Sequence, residues 1–238
     1  TLQRGKKLVN KIWNVSKFVE MHLADYKDKE FNNFEYVDKW ILGRFMQMEN
    51  QFIKYLDEYE VGLALNTLEK FFWEFCDNYV EIVKHRLYRP EEFGVEARYS
   101  GQKTVYILLY KILQDFSIFF PFITEEIYQG IYHNSKSIHL TEIQPLAYNF
   151  EKEAKIGDKM VEIISQARGT KTTNNVSLKT PIKNLSLSVN KDLKEAIEKS
   201  IKDFKATLFI ENLELNDQEE GYTINNIELN LDDIEKSK

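Results

Sequence analysis

The chain has 238 residues and a formal net charge of −6 at pH 7, because 38 acidic residues outnumber 32 lysines and arginines. Hydrophobic residues make up 43% of the chain and charged residues 29%, which excludes general disorder. Only 9 glycines and 4 prolines are present. This is near half of their average usage of roughly 7% and 5%, and it favours long helices over a many-stranded barrel or sandwich.

The first predicted helix separates apolar and polar residues onto opposite faces. Its apolar stripe, at helical spacing, consists of Leu8, Ile12, Val15 and Val19. The other face carries Lys6, Asn10, Trp13, Asn14 and Lys17. Lysines attract phosphate, carboxamides read base edges and an indole ring stacks on bases, so this face is typical of an RNA-binding surface. In the alternative interpretation Trp13 belongs to the core and the two asparagines cap a neighbouring loop.

Three further amphipathic helices follow, beginning near Asp38, Tyr59 and Gln102. Pro121 predicts a kink or a break in the last of them. Four long helices with short connections predict an antiparallel helical bundle. Five aromatic residues at helical core spacing are predicted to lie mainly in its core: Trp40, Phe71, Phe72, Trp73 and Phe75.

The pattern changes after His133. The sequence predicts an extended stretch at 137–145, a helix at 151–166, a basic polar loop, a strand at 182–189, a helix at 191–204, and strands at 207–215 and 222–231. The predicted fold is therefore mainly α, with a helical-bundle domain at 1–147 and a small α+β subdomain at 148–238.

Positive charge is concentrated in two islands. Residues 1–19 contain five basic residues and no acid, among them Lys7 and Lys11. Residues 163–191 contain five more and again no acid, among them Arg168, Lys171, Lys179 and Lys183. Two basic islands in an acidic chain predict local binding of a polyanion, and the alternative is a solvated helix face and a solvated loop.

No complete active site is recognisable in the sequence. A Gly-rich phosphate loop, a nucleophile elbow and the H-E-x-x-H zinc pattern are all lacking. We therefore expect no catalytic residue, no metal site and no cofactor in this chain. Cys76, the single cysteine, cannot form an internal disulfide, and its apolar neighbours predict a buried, inert thiol in a cytoplasmic protein. No apolar run is long enough to predict a membrane span. The polar start without Met suggests a piece of a longer protein.

Three stretches in order resemble a known family. They are NKIWNVSKFV at 10–19, DKWILGRF at 38–45 with FFWEFCDNYVEIVKHRLY at 71–88, and FFPFITEEIYQGIY at 119–132 followed by SIHLTEIQP at 137–145. Together they resemble the anticodon-binding domain of class I aminoacyl-tRNA synthetases of the isoleucine, valine and leucine group, and most of all the valyl-tRNA synthetases. VSLKTPIKNLSLSV at 176–189 resembles the C-terminal α/β module of archaeal-type members. The sequence departs from the family at Asn78, where Trp is usual, and at Lys17, where Arg is frequent.

The resemblance implies that this chain recognises the tRNA anticodon, above all that of tRNA-Val, as the C-terminal part of a valine–tRNA ligase. Phosphates would lie against Lys6, Lys7, Lys11 and Lys17. Anticodon bases would be read by Asn10 and Asn14, with Trp13 or Tyr26 as a stacking surface. The second island, Arg168 to Lys183, would steady the tRNA backbone.

The class I nucleotide signatures are missing from the sequence, so the resemblance also implies an upstream catalytic domain that uses ATP and Mg. The chain alone would then be inactive. Two alternatives remain open at this point: the same domain of an isoleucyl- or leucyl-tRNA synthetase, and a helical-bundle adaptor that binds another protein.

Overall fold

The computed structural model describes residues 2–231 and confirms a mainly helical fold with a small sheet at its C-terminal end. The helices are α1 Leu2–His22, α2 Tyr36–Asp57, α3 Val61–Glu74, α4 Val80–Tyr88, α5 Pro90–Phe93, α6 Val95–Phe116, α7 Pro121–Tyr132, α8 Glu151–Thr173, α9 Lys191–Lys199 and α10 Ile201–Leu208. The strands are β1 Ile182–Val189, β2 Ile210–Asp217 and β3 Tyr222–Leu229. A π-helical segment, Phe75–Tyr79, joins α3 to α4, and a short 3-10 turn spans Ile138–Leu140.

The helices α1 to α4, α6 and α7 form the bundle, and their apolar stripes meet in its core, whereas the four-residue α5 has no buried residue. The stripe predicted for α1 is buried along its whole length. Pro121 does break the last predicted helix, since α6 ends at Phe116 and Pro121 occupies the first turn of α7. Proline is favoured there because the first N–H groups of a helix have no partner within the helix.

Helix α8 packs tightly on α2 through small residues. An added Cβ at Gly157 would lie 2.4 Å from Cδ1 of Trp40, so only glycine allows this approach. Trp40 is fully buried, as predicted, and its indole Nε1 donates a hydrogen bond to Asp158 Oδ1 at 2.9 Å. The sequence predicts a domain boundary near residue 147, in the segment before α8. In the structure, the hydrophobic core continues across this segment from the bundle into the sheet.

A buried ionic cluster also joins the bundle to the C-terminal helices. Arg86 of α4 donates two hydrogen bonds to Asp38 of α2, at 2.9 and 2.8 Å, and a third from Nε to Asp203 of α10 at 2.9 Å. Burial raises the pKa of Asp203 to about 7, although the Arg86 cation opposes the rise. Removing one partner of such a buried pair typically costs about 3–5 kcal/mol, because it leaves the other charge uncompensated.

The sheet has the strand order β2-β1-β3, with β1 parallel to β2 and antiparallel to β3. In the register of the three strands, Leu185 lies opposite Leu213 on one side and Ile227 on the other. The parallel β1–β2 pair is connected by α9 and α10, as a crossover of this type requires. Inward-facing residues of β1 join the core, whereas β2 is mostly exposed and β3 is mostly half-buried.

Helix α8 is longer than the sequence predicted, because it continues into the basic polar stretch as far as Thr173. Thr170, Thr172 and Thr173 each donate a hydroxyl hydrogen bond to the carbonyl four residues earlier, at 3.0 to 3.2 Å. These bonds satisfy the threonine side chains within the helix. Asn175, with φ of 54°, lies just beyond the end of the helix. Because of this extension, Arg168 and Lys171 lie on a helix, whose geometry sets the direction of each side chain.

None of the helices within residues 2–231 combines the length and apolar composition that crossing a bilayer requires. Cys76 is buried as predicted, and burial raises the pKa of its thiol to about 12. The thiolate, which is the nucleophilic form of cysteine, is therefore scarce at neutral pH.

Candidate nucleic-acid interface

The polar face of α1 is exposed over its whole length. Lys6, Lys7, Asn10 and Asn14 lie on this face, and none of their side chains makes a hydrogen bond within residues 2–231. The interpretation in which the asparagines cap a neighbouring loop is therefore wrong. Four unengaged polar side chains on one rigid helix leave their donors and acceptors free for a ligand.

Trp13 and Lys17 border this face towards α7. The indole of Trp13 is 40% exposed, so the interpretation of Trp13 as a core residue is also wrong. The ammonium of Lys17 lies 4.9 Å from the centre of that ring and 2.8 Å from the Glu20 carboxylate. The indole and the cation thus form one exposed unit, which can contact a base and a neighbouring phosphate.

Helix α1 is fixed to the bundle by ionic contacts with α3 and the π-helical segment. Arg4 pairs with Glu69 at 2.7 Å. The ammonium of Lys11 lies 2.9 Å from the carboxylate of Asp77 and 5.4 Å from the centre of the half-buried Trp73 ring. Lys11 is therefore partly neutralised within the chain, and Trp73 is the least buried of the five aromatic residues predicted to lie in the core.

The two basic islands, far apart in the sequence, converge at Asp77. Lys11 of α1 contacts its carboxylate, and Nη1 of Arg168 on α8 donates to its backbone carbonyl at 3.4 Å. Asp77 lies on the π-helical segment, the only such segment among the described residues. Segments of this kind are frequent at functional sites.

A groove of about 660 Å³ opens beside this junction. It lies between α1, α4, the end of α8, the loop that follows α8 and the end of α10. Its charged lining comprises four cationic side chains and one carboxylate: Lys84, Arg89, Arg168, Lys179 and Glu81. Lys84 is paired with Glu81 and Arg89 with Glu92, so Arg168 and Lys179 supply the excess positive charge. Positive charge within a concave surface favours an anionic ligand.

Aromatic rings form the remaining walls of the groove. Phe18 of α1 and Tyr88 of α4 line it, with their ring centres 6.2 Å apart. Tyr88 is exposed, and Phe209, in the left-handed conformation with φ of 56°, presents its ring from the far wall. Rings beside cations are the combination that binds unstacked bases together with their phosphates.

His85 is a neutral member of the groove. Burial and the neighbouring cations of Arg89 and Lys84 lower the pKa of His85 to about 4. Nη2 of Arg89 lies 2.9 Å from Nδ1, which therefore acts as an acceptor and places the imidazole proton on Nε2. At neutral pH His85 offers a hydrogen-bond donor without adding charge.

Lys171 was predicted to belong to the interface, but it is buried. Its side chain is 0% exposed, and the ammonium donates to the carbonyls of Leu178 at 3.0 Å and Leu208 at 2.7 Å. It also lies 5.5 Å from the centre of the Phe209 ring. Lys171 therefore holds the loop and the end of α10 that form one groove wall, and it cannot reach a phosphate from the interior.

Two other predicted residues are engaged within the chain. The hydroxyl of Tyr26 donates to Asp28 at 2.7 Å, and its ring stacks on Tyr99 with 5.5 Å between centres. Lys183 lies on β1 and pairs with Glu228 at 3.2 Å. Of the second island, the structure thus brings Arg168 and Lys179 to the groove and directs Lys171 and Lys183 elsewhere.

The contribution of α4 to this groove was not predicted from the sequence. The stretch KHRLYRP at 84–90 interleaves basic residues with an aromatic one, which is itself a signal for nucleic-acid binding. Phe209 carried no such signal, because its exposure depends on the left-handed backbone that ends α10. Within residues 2–231, the His, Cys, Asp and Glu side chains form no group of three that could hold a metal ion.

A family model and the curated relatives both relate this chain to tRNA ligases. Residues 38–187 match the family model for the anticodon-binding domain of tRNA ligase. The chain is 37% identical over 202 residues to the valine–tRNA ligase of Rickettsia canadensis, covering 79% of this chain and 24% of that protein. It is 34% identical over 239 residues to that of Rickettsia felis, covering 94% and 27%.

A third relative, the valine–tRNA ligase of Ehrlichia canis, is 33% identical over 207 residues, which is 84% of this chain and 25% of the relative. The chain therefore spans about a quarter of the length of the curated relatives it matches. The family match includes α4 and the end of α8, both walls of the groove, and begins after α1.

Proposed function

We propose that this chain, which belongs to the anticodon-binding domain family of tRNA ligases, binds the anticodon stem-loop of a tRNA on the exposed face of α1 and in the adjoining groove. The observation that carries this proposal is the convergence of the two basic islands at Asp77, beside exposed aromatic rings. An adaptor for another protein would not need this excess of cations, and its binding would respond little to salt.

The groove and helix α1 contact different parts of the stem-loop. Lys6, Lys7 and Lys17 contact phosphates of the stem, and Arg168 with Lys179 contacts the backbone on the other side. One or more unstacked anticodon bases enter the groove against the rings of its walls, and each stacked base contributes about 1–3 kcal/mol. The Asn10 and Asn14 carboxamides read base edges from α1.

The preferred tRNA would be tRNA-Val, because the relatives carry the name valine–tRNA ligase. We further propose that ATP- and Mg-dependent ligation belongs to an upstream catalytic domain of the full-length enzyme, working in the cytoplasm. This chain would supply tRNA identity and orientation and have no ligase activity alone.

Filter binding with transcripts of tRNA-Val, tRNA-Ile and tRNA-Leu tests the proposal. We expect tRNA-Val to bind most tightly, and exchange of its anticodon to abolish the preference. Lys17→Ala should weaken all three transcripts similarly, whereas Asn14→Ala should weaken mainly tRNA-Val. Equal, weak binding of all transcripts would contradict anticodon recognition. A folded Asn14→Ala chain with unchanged preference would remove Asn14 from it.

A further inference from the structure

His85 of α4 contributes an uncharged hydrogen-bond donor to the groove. The charged side chains around it on α4 are engaged with one another, since Lys84 pairs with Glu81 and Arg89 with Glu92. The imidazole lies between these two pairs and lines the groove. It adds a polar group to the groove wall without adding a charge.

Two contacts hold the imidazole ring of His85 in one orientation. Nη2 of Arg89 lies 2.9 Å from Nδ1, and because a guanidinium can only donate, Nδ1 is the acceptor. The ring of Phe209 packs edge-on against the imidazole, with 5.9 Å between the ring centres and 83° between the ring planes. Arg89 is fixed in turn by its ion pair with Glu92 at 2.9 Å. The position of Nε2 and its proton is therefore set before a ligand binds.

The Nε2–H of His85 is free to donate to a ligand. It makes no hydrogen bond within residues 2–231, although the residue is half-buried. Nε2 does not belong to the fully buried side-chain atoms that lack a partner in this part of the chain, so it is accessible to solvent. Burial and the cations of Arg89 and Lys84 keep the imidazole neutral at pH 7. This N–H therefore supplies a directed hydrogen bond and no net charge.

A fixed donor distinguishes bases by the atom that each base places opposite it. A carbonyl oxygen or an unprotonated ring nitrogen accepts from Nε2–H, whereas an exocyclic amino group turns one donor towards another. The hydroxyl of Tyr88 lacks this selectivity, because a hydroxyl both donates and accepts. The rings of Phe18 and Phe209 lack it as well, because every base has an aromatic face on which they can stack. His85 is thus suited to select among bases.

We infer that His85 is a specificity-determining residue of the groove, where its Nε2–H donates a hydrogen bond to a carbonyl oxygen or ring nitrogen of one anticodon base. This inference rests on the proposed function, because it requires a base in the groove. Stacking on the rings of the groove supplies affinity for any base, and the hydrogen bond from His85 adds the choice among bases.

Two variants of the whole chain separate the donor of His85 from its packing. His85→Leu removes the donor and keeps a side chain of moderate size, whereas His85→Gln keeps an N–H donor at similar reach. His139→Leu, the same change at an exposed histidine outside the groove, is the matched control. Fluorescence anisotropy measures the affinity for the intact anticodon stem-loop of tRNA-Val and for three stem-loops that each lack one anticodon base.

The expected result is a coupling between His85 and a single base. His85→Leu should weaken binding of the intact stem-loop about three- to tenfold, the size of one hydrogen bond. It should leave unchanged the affinity for the one stem-loop that lacks the base in the groove. His85→Gln should keep most of the native affinity for the intact stem-loop, because its carboxamide N–H replaces the lost donor.

Base analogues test the same hydrogen bond from the RNA side, with the native chain. At the anticodon position identified above, each analogue replaces one ring nitrogen or one carbonyl group by C–H. One analogue should bind the native chain about three- to tenfold more weakly than the normal base and should bind His85→Leu as well as the normal base does. Additive losses for every analogue would overturn the inference.

Failure of the proposed function gives a different result from failure of this inference. If no stem-loop that lacks a base binds the native chain more weakly than the intact one, anticodon recognition is contradicted and the inference falls with it. If one of them does, three results overturn the role of His85 alone: His85→Leu binds like His139→Leu, it weakens all four stem-loops equally, or His85→Gln loses as much affinity as His85→Leu.

Discussion

Removal of two lysines from α1 should change both the affinity for an anticodon stem-loop and its salt dependence. Lys6 and Lys7 are exposed and free of partners within the described residues, so their charges are available to phosphates. Each phosphate contact contributes about 0.7–0.9 to the slope of log affinity against log salt concentration. The double variant Lys6→Ala/Lys7→Ala should therefore lower the slope by about 1.6.

The same slope fixes the expected loss of affinity. Relative to 1 M salt, a slope of about 0.8 per contact corresponds at 0.1 M salt to a loss of affinity of about sixfold for each lysine removed. For both lysines the loss is about 40-fold. At 0.3 M salt the loss shrinks to about sevenfold. Stability should stay within about 0.5 kcal/mol of the native chain, because both side chains are exposed.

Fluorescence anisotropy of a labelled stem-loop between 50 and 300 mM salt measures both quantities. Lys155→Ala/Lys159→Ala is the matched control, because it removes the same charge from α8 about 13 to 20 Å along the helix from Arg168. A native slope in the α1 variant would show that Lys6 and Lys7 do not contact phosphates. An equal loss of affinity in the control variant would contradict a specific contact with α1, since the effect would then come from net charge alone.

Three further changes test the packing and the buried charges, each by chemical denaturation. Gly157→Ala should destabilise the fold by about 1–3 kcal/mol, because its Cβ would lie 2.4 Å from Trp40, whereas Gly62→Ala, with nothing within 4 Å, should not. The pKa of Asp203 is raised to about 7, so the native chain should lose stability from pH 4 to 7, and Asp203→Asn should lack that loss. Burial lowers the pKa of Lys171 to about 8, so native stability should rise between pH 8 and 10.5, and Lys171→Met should abolish the rise.

Periodicity predicted most of the helical fold because the long helices of the bundle bury one face each. The stripe of α1 is a clear example, and the strand predicted at 182–189 has the same bounds in the structure. The end of α8 was predicted wrongly, because threonine and asparagine favour loops by local propensity. In this chain three threonine hydroxyls bond back to the helix, and packing against α10 completes the stabilisation.

The candidate interface was predictable only in part, for a geometric reason. The exposed face of α1 follows from the helical wheel, which assigns Lys6 and Asn14 to the side opposite the apolar stripe. The position where α8 ends and its orientation about its own axis decide which basic residues of the second island reach the groove. Lys171 lies three positions from Arg168, yet it points into the interior, and no local pattern distinguishes the two.

Lysine footprinting shows directly whether the exposed face of α1 and the groove contact tRNA, as we propose. Acetylation of the native chain with and without tRNA-Val, read by mass spectrometry, compares every lysine at once. We predict that tRNA protects Lys6, Lys7, Lys17 and Lys179 and leaves Lys155 as reactive as before. Protection confined to Lys155 and its surroundings, or none at any lysine under conditions of saturating tRNA, would contradict the proposed interface.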